Sequence, residues 1–261
     1  MLDFLFHPEK KRREQLRNEP LEPELVAIVE LNFPYYASLS EEDRRELLGH
    51  VQIFLAEKTF EGCGGLEITD EIRVTVAAQA CVLLLHRETD YFPECNAILV
   101  YPSTFVARAT RREGGIVIEG EEARLGESHA RGLVVLAWDD VRRGARDVAD
   151  GHNVVFHEFA HQLDQEHGPG DGAPELPRSS MYGPWARVLG QEYAHLQEAI
   201  EHHRRTVIDA YGATSPAEFF AVVSETFFEK PRQLQQKHPE LYELFAQFYR
   251  QDPLARLTPT K

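Results

Sequence analysis

The chain has 261 residues, 43% apolar and 27% charged, the composition of a water-soluble globular protein large enough to bury a core. Twenty-eight basic against 43 acidic residues leave a net charge of −15, which excludes a nucleic-acid binder held by its overall field and argues against attachment to anionic lipid. Three cysteines, Cys63, Cys81 and Cys95, lack CxxC spacing, so neither a disulfide framework nor a cysteine zinc site is indicated, and a reduced, cytoplasmic setting is expected.

The stretch from Met1 to Pro8 puts its acidic residue before the apolar run and leaves the basic cluster after it, the reverse of a secretory signal. No run approaches the roughly 18 consecutive apolar residues of a membrane span. In chain order, Lys10-Lys-Arg-Arg13 marks the solvated face of an N-terminal helix, and Pro23 and Pro34 bracket a helical stretch, Leu25–Leu31. Ser40 followed by Glu41, Glu42 and Asp43 reads as an N-cap with acids in the first turn, and Leu47, Leu48, Val51, Phe54 and Leu55 continue at helical spacing. After a glycine turn at 62–65, Thr69-Asp-Glu71 opens a helix whose run Ile72–Leu85 is apolar nearly all round and therefore buried.

The period then changes. Ala97–Tyr101, Gly115–Glu119 and Gly132–Trp138 are short, rich in β-branched residues, and expected as strands of one small sheet. Helical patterns return at roughly 150–166, 184–205, 216–229 and 238–250, with a glycine- and proline-rich loop at 168–177. Helices, then strands, then helices predict an α+β fold, mostly helical with one small mixed sheet. No linker divides the chain, so a single domain is expected: a helical part over about 1–90, the sheet over about 95–138, and a second helical part over about 150–250.

The informative segment is Asn153–Asp164, which contains His157-Glu158-Phe159-Ala160-His161, the HExxH pattern. At 3.6 residues per turn, positions 157 and 161 lie one above the other on a helix face, where two imidazoles can hold one Zn²⁺. Glu158 is offset by about 100°, beside the metal rather than toward it, where it can take a proton from a zinc-bound water. Paired histidines on a helix are commonly surface or core residues, but an unpaired Glu158 in so apolar a helix is costly without a partner. His152 and His167, at the two ends of the helix, read as capping groups or as groups supporting a ligand. Asp164 either orients a ligand imidazole or makes a salt bridge.

A hydrolytic site needs a third protein ligand and an open position. The metzincin extension fails, because position 164 is Asp and the turning glycine before His167 is absent. The ligand is then sought among Glu192, Glu198, Glu201, Glu218, Glu225 and Glu229. Glu218 and Glu225 stand out on a helix apolar on nearly every side. Glu218 is also the last residue of a capping box, Ser215-Pro-Ala-Glu218, so the residues alone leave the two glutamates level. Tyr211 offers a phenol to a developing oxyanion, or packs as an ordinary amphipathic tyrosine.

With Tyr211-Gly-Ala-Thr-Ser-Pro-Ala-Glu-Phe-Phe-Ala221 following His157–His161, the chain resembles the zinc peptidases of the Mlc titration factor A type, relatives of the anthrax lethal factor catalytic domain. The resemblance extends through Glu67–Arg73, Ala77–Cys81, Val135–Val141 and Gln251–Leu254. It implies a zincin-like fold with HExxH on a central helix, one Zn²⁺ held by His157, His161 and Glu218, Glu158 as general base and Tyr211 beside the metal. It also implies aminopeptidase-like activity on short peptides and binding of the repressor Mlc, which affects phosphotransferase sugar uptake. One departure is His129, where the family is expected to carry tryptophan. Two functions follow as expectations. One is a peptidase whose substrate lies extended against the strand at Val134–Ala137, expected as an edge of the sheet. The other is a repressor-sequestering protein with a vestigial or regulatory zinc site, which has no use for Glu158.

Overall fold

The computed structural model describes residues 8–103, 105–113, 116–124, 126–129, 132–166 and 168–257, and between 104 and 131 the course of the backbone alone. Helices α1 (Pro8–Asn18), α2 (Pro23–Asn32) and α3 (Glu41–Glu57) come first, then strand β1 (Thr59–Gly62) and helix α4 (Asp70–Val82). The caps predicted for α3 and α4 are made: Ser40 accepts the Asp43 N–H, and Thr69 accepts the Ile72 N–H. Ten of the thirteen residues of α4 are buried, as its unbroken apolar surface requires. The basic run is not all solvated. Arg13 makes a forked pair with Glu57, at 2.8 and 3.0 Å, and reaches Asp90 at 3.1 Å, so it ties α1 to α3 and to the loop beyond α4.

Strands β2 (Ala97–Tyr101), β3 (Phe105–Glu113), β4 (Ile116–Arg124), β5 (Gly126–His129) and β6 (Leu133–Ala137) follow. Four strands form one sheet in the order β1-β2-β6-β5, with β1, β2 and β6 parallel and β5 antiparallel to β6. Two expectations are corrected here. The run ending at Glu119 does not join this sheet but lies in a separate antiparallel hairpin, β3–β4. The strand at Val134–Ala137 is not an edge, because β2 and β5 pair with it on either side, and β5 holds the outer position. Strand β1 falls just before the glycine turn, where the sequence reading assigned no element; four residues ending in Gly62 are too short to show a period.

Helices α5 (Trp138–Arg146), α6 (Val154–Gln165), α7 (Tyr182–Glu201), α8 (Pro216–Glu229), α9 (Pro231–Lys237), α10 (Pro239–Tyr249) and α11 (Pro253–Arg256) complete the chain. Trp138 opens α5 rather than ending a strand, and α9 fills the gap between two predicted helices. Helix α6 packs along α8 and against α4, α5 and β5. No helix among the described residues is long and apolar enough to cross a membrane.

Buried residues of these elements form one contiguous apolar cluster with many aromatic rings. Phe159 of α6 is fully buried, with its ring 5.5 Å from Phe54 and 4.8 Å from Phe92. Phe159→Ala is therefore expected to cost about 3–5 kcal/mol, the range for truncating a buried aromatic. Urea unfolding of the metal-free protein measures it. A loss under about 1 kcal/mol would mean the ring carries little of the packing between α3 and α6.

Candidate metal centre

Helix α6 begins at Asn153, whose side-chain oxygen accepts the N–H groups of Val155 and Phe156 at 3.1 and 3.0 Å. This displaces the capping role expected of His152, whose side chain is 60% exposed and 3.8 Å from Asp209. His167 lies outside the described residues, as does the side chain of His129 on β5. With its N-terminus so fixed, α6 buries Val155, Phe156, Phe159, Ala160 and Leu163 and turns His157 and His161 toward α8.

On α8, Pro216 occupies the first turn and Ser215 caps it, with its Oγ accepting the Glu218 N–H at 3.2 Å. The Glu218 carboxylate does not turn back toward the cap but reaches both histidines. One of its oxygens, Oε2, is 3.0 Å from His157 Nε2 and 3.3 Å from His161 Nε2, and the two ring nitrogens are 3.2 Å apart. Three ligand atoms around a tetrahedral ion with bonds of about 2.0–2.2 Å stand about 3.3–3.6 Å from one another. The triad fits a metal ion of that kind.

Glu225, the rival third ligand, lies on the other side of His157, with Oε1 2.8 Å from Nδ1. Glu192 pairs with His238 at 2.8 Å and Glu198 with Arg204 at 2.7 Å, both away from the triad. Glu229 accepts the Gly151 N–H at 3.0 Å and an Asn153 Nδ2–H at 3.1 Å. Among the described residues Asp164 takes neither role expected of it. Its Oδ2 accepts the Gly172 N–H at 2.8 Å and fastens the glycine-rich loop to α6. Gly172 has φ +84°, and a Cβ there would lie 2.4 Å from the Pro216 carbonyl oxygen, so only glycine lets this loop close on the head of α8.

Glu158 is 3% exposed, and its Oε2 has no hydrogen-bond partner among the described residues. Burial pushes its carboxyl up to about 8; His157 opposes this, and Glu218 and Glu225 add to it. Glu218 behaves in the opposite way. Burial would raise it, but its hydrogen bonds to His157 and His161 prevail and hold it down to about 2. Burial likewise opposes the His157 cation, yet its hydrogen bonds to Glu218 and Glu225 raise its pKa well above the ordinary imidazole value. Tyr211 is 54% exposed in a 3-10 turn, Ala210–Ala213, with its ring 5.9 Å from that of His157. The centre thus brings His157, Glu158, His161, Tyr211 and Glu218 together and adds Asn153, to which the sequence reading gave no role, and Glu229, which it weighed only as a third ligand. Asn153 was legible as an N-cap residue directly before an apolar helical run.

The sequence pattern of the family described as "Glucose-regulated metallo-peptidase M90" matches residues 8–250. "Uncharacterized protein slr2042" of Synechocystis sp. is 44% identical over 245 residues, covering 93% of this chain and 89% of that protein. "Mlc titration factor A" of Yersinia pestis and of Yersinia pseudotuberculosis is 33% identical over 231 residues, covering 87% of this chain and 84% of each relative. With a histidine–glutamate triad suited to a metal and a match running nearly end to end, the chain belongs to the glucose-regulated metallopeptidase M90 family.

Proposed function

We propose that this protein is a zinc-dependent peptidase of the zincin type, aminopeptidase-like on short peptides, with one zinc ion held by His157, His161 and Glu218. The observation that carries the proposal is the convergence of these three side chains beside a buried glutamate with an unpartnered oxygen. A purely structural zinc site is closed by four protein ligands and needs no such base. Zinc held there supplies Lewis acidity, making a water molecule acidic near neutral pH and polarising a carbonyl.

The chain's own residues do the rest. Glu158 accepts the proton of the attacking water and hands it to the leaving amine. Its position one residue after His157 puts it at the flank of the triad rather than within it. Tyr211, exposed and with its ring 5.9 Å from that of His157, is the group that can donate its hydroxyl to the oxyanion as the carbonyl becomes tetrahedral. Among the described residues β5 pairs with β6 alone, and it packs against α6. An extended peptide added to the outer edge of β5 would then lie in the same sheet that packs on α6, the helix that carries both histidines.

Metal content and hydrolysis of short peptides with free and acetylated N-termini test this reading. One zinc per chain, with cleavage of the unblocked peptides that stops on chelation and returns with zinc, is the expected result. Full zinc occupancy without cleavage of either set would favour a second reading, suggested by the name of the Yersinia relatives: a protein that sequesters an Mlc-type repressor. Tyr211→Phe is expected to cost less than the loss of Glu158, no more than about 100-fold in kcat/KM, the lower end for one oxyanion donor.

Protons compete with the metal for His157. Its raised pKa means that competition begins above the ordinary imidazole value near 6.5 and strengthens as pH falls. Zinc affinity should drop about tenfold per pH unit for each proton displaced. A zinc dissociation constant unchanged between pH 7.5 and about 5, across the ordinary histidine range, would remove the histidines from the ligand set.

A further inference from the structure

Glu225 stands one heptad beyond Glu218 on α8, and its side chain is 8% exposed. Two nitrogens converge on it, one for each oxygen. His157 Nδ1 lies 2.8 Å from Oε1, and the backbone N–H of Asn153 lies 2.6 Å from Oε2. Asn153 is itself fully buried and held on three sides. Its Oδ1 caps α6, and its Nδ2 reaches Gln79 Oε1 of α4 at 3.0 Å and Glu229 Oε1 of α8 at 3.1 Å. Glu229 in turn is fixed by the Gly151 N–H. The donor that meets Oε2 therefore cannot swing away, which leaves Oε1 facing His157.

We infer that Glu225 is a positioning residue that sets the tautomer and ring angle of His157. By accepting the Nδ1–H, Glu225 leaves the Nε2 lone pair pointing toward His161 and Glu218, where a metal bonds. Asn153 acts one step further out, by fixing which oxygen of Glu225 is available. This rests on the reading of His157, His161 and Glu218 as zinc ligands and adds residues that touch neither the ion nor a substrate.

A tie that merely held α6 to α8 would survive an isosteric change, but this arrangement does not allow one. Glutamine has the shape of glutamate and a single acceptor oxygen, so it can satisfy His157 or Asn153 and not both. If the oxygen meets the Asn153 N–H, the amide N–H₂ faces His157 Nδ1 and favours the tautomer whose Nε2 carries the proton. If it meets His157, two N–H donors collide at Asn153, and the start of α6 is displaced.

The test is zinc affinity by competition with a chelator, on wild type and Glu225→Gln, together with nitrogen NMR of zinc-loaded protein carrying labelled histidine. Wild type is expected to bind one zinc, with His157 coordinated through Nε2 and protonated at Nδ1. Glu225→Gln is expected to bind zinc 10–100-fold more weakly, the range for removing a ligand's hydrogen-bond partner, and to lose or shift the Nδ1–H resonance. Wild type that binds no zinc overturns the metal reading and this inference with it. Wild type that binds zinc through Nδ1 of His157, or a Gln variant within twofold of wild-type affinity, overturns the inference alone. The wild-type spectrum decides the tautomer even if the variant fails to fold.

Discussion

In Glu158→Gln, kcat/KM for short peptides falls by about 10²–10⁴-fold while zinc stays bound and the metal-free protein becomes harder to unfold. The kinetic loss is the usual contribution of a general base, about 3–5 kcal/mol of barrier. The gain in stability has a separate origin. Burial raises the folded-state pKa of this carboxyl from the ordinary 4.5 to about 8. The folded protein therefore holds the proton more tightly than the unfolded chain, and stability is lost as pH rises from 4.5 toward 8. At pH 7 the native state bears up to about 3 kcal/mol of that cost, at 1.36 kcal/mol per pH unit, and a neutral amide is free of it. Urea unfolding of chelated wild type and variant at pH 7 and pH 5 measures the gain, which should shrink at the lower pH. Equal turnover by the two proteins, each with zinc verified, would end the peptidase mechanism. Equal stability at pH 7 would mean that Glu158 is solvated in the metal-free state.

The second large effect concerns the third ligand. Glu218→Ala should lose zinc by more than about 100-fold in affinity, beyond the 10–100-fold typical of removing a ligand's partner. Glu225→Ala should still bind one ion at saturating zinc. The order follows from position. Glu218 Oε2 stands within 3.3 Å of both imidazole Nε2 atoms, whereas Glu225 faces the far nitrogen of His157. Metal analysis after dialysis, followed by chelator titration, ranks the three proteins. A Glu218→Ala protein that keeps wild-type affinity would pass the ligand role to another residue.

The sequence made these residues legible to different depths. His157, Glu158 and His161 follow from helical spacing alone, because α6 keeps its period from Val154 to Gln165. Glu218 and Glu225 could not be separated in this way. They are seven residues apart on one helix, and spacing cannot say that His157 lies between them with one nitrogen facing each. The caps Ser40, Thr69 and Ser215 were legible because the signal is local: an oxygen three residues before the N–H it accepts. Sheet membership was not local. The runs ending at Glu119 and at Trp138 look alike in composition, yet one belongs to a hairpin and the other is threaded between β2 and β5. Pairing depends on partners distant in the chain, which no window of residues contains. For the same reason β5, the strand beyond β6, was missed.

Ser215 and Pro216 fix the first turn of α8 through backbone geometry, and Asn153 does the same for α6. Neither device involves an ion. The scaffold thus places Glu218 and the two imidazoles together by itself, so a metal ion bound as proposed would meet a pre-organised triad in a fold whose core is the apolar cluster. The site should then behave as a socket. Chelation should leave the far-ultraviolet spectrum intact, the ion should exchange in the folded state, and cobalt should enter the same position and report its ligand field in visible light. Free metal would set how much of the protein is loaded, with no need to unfold and refold it.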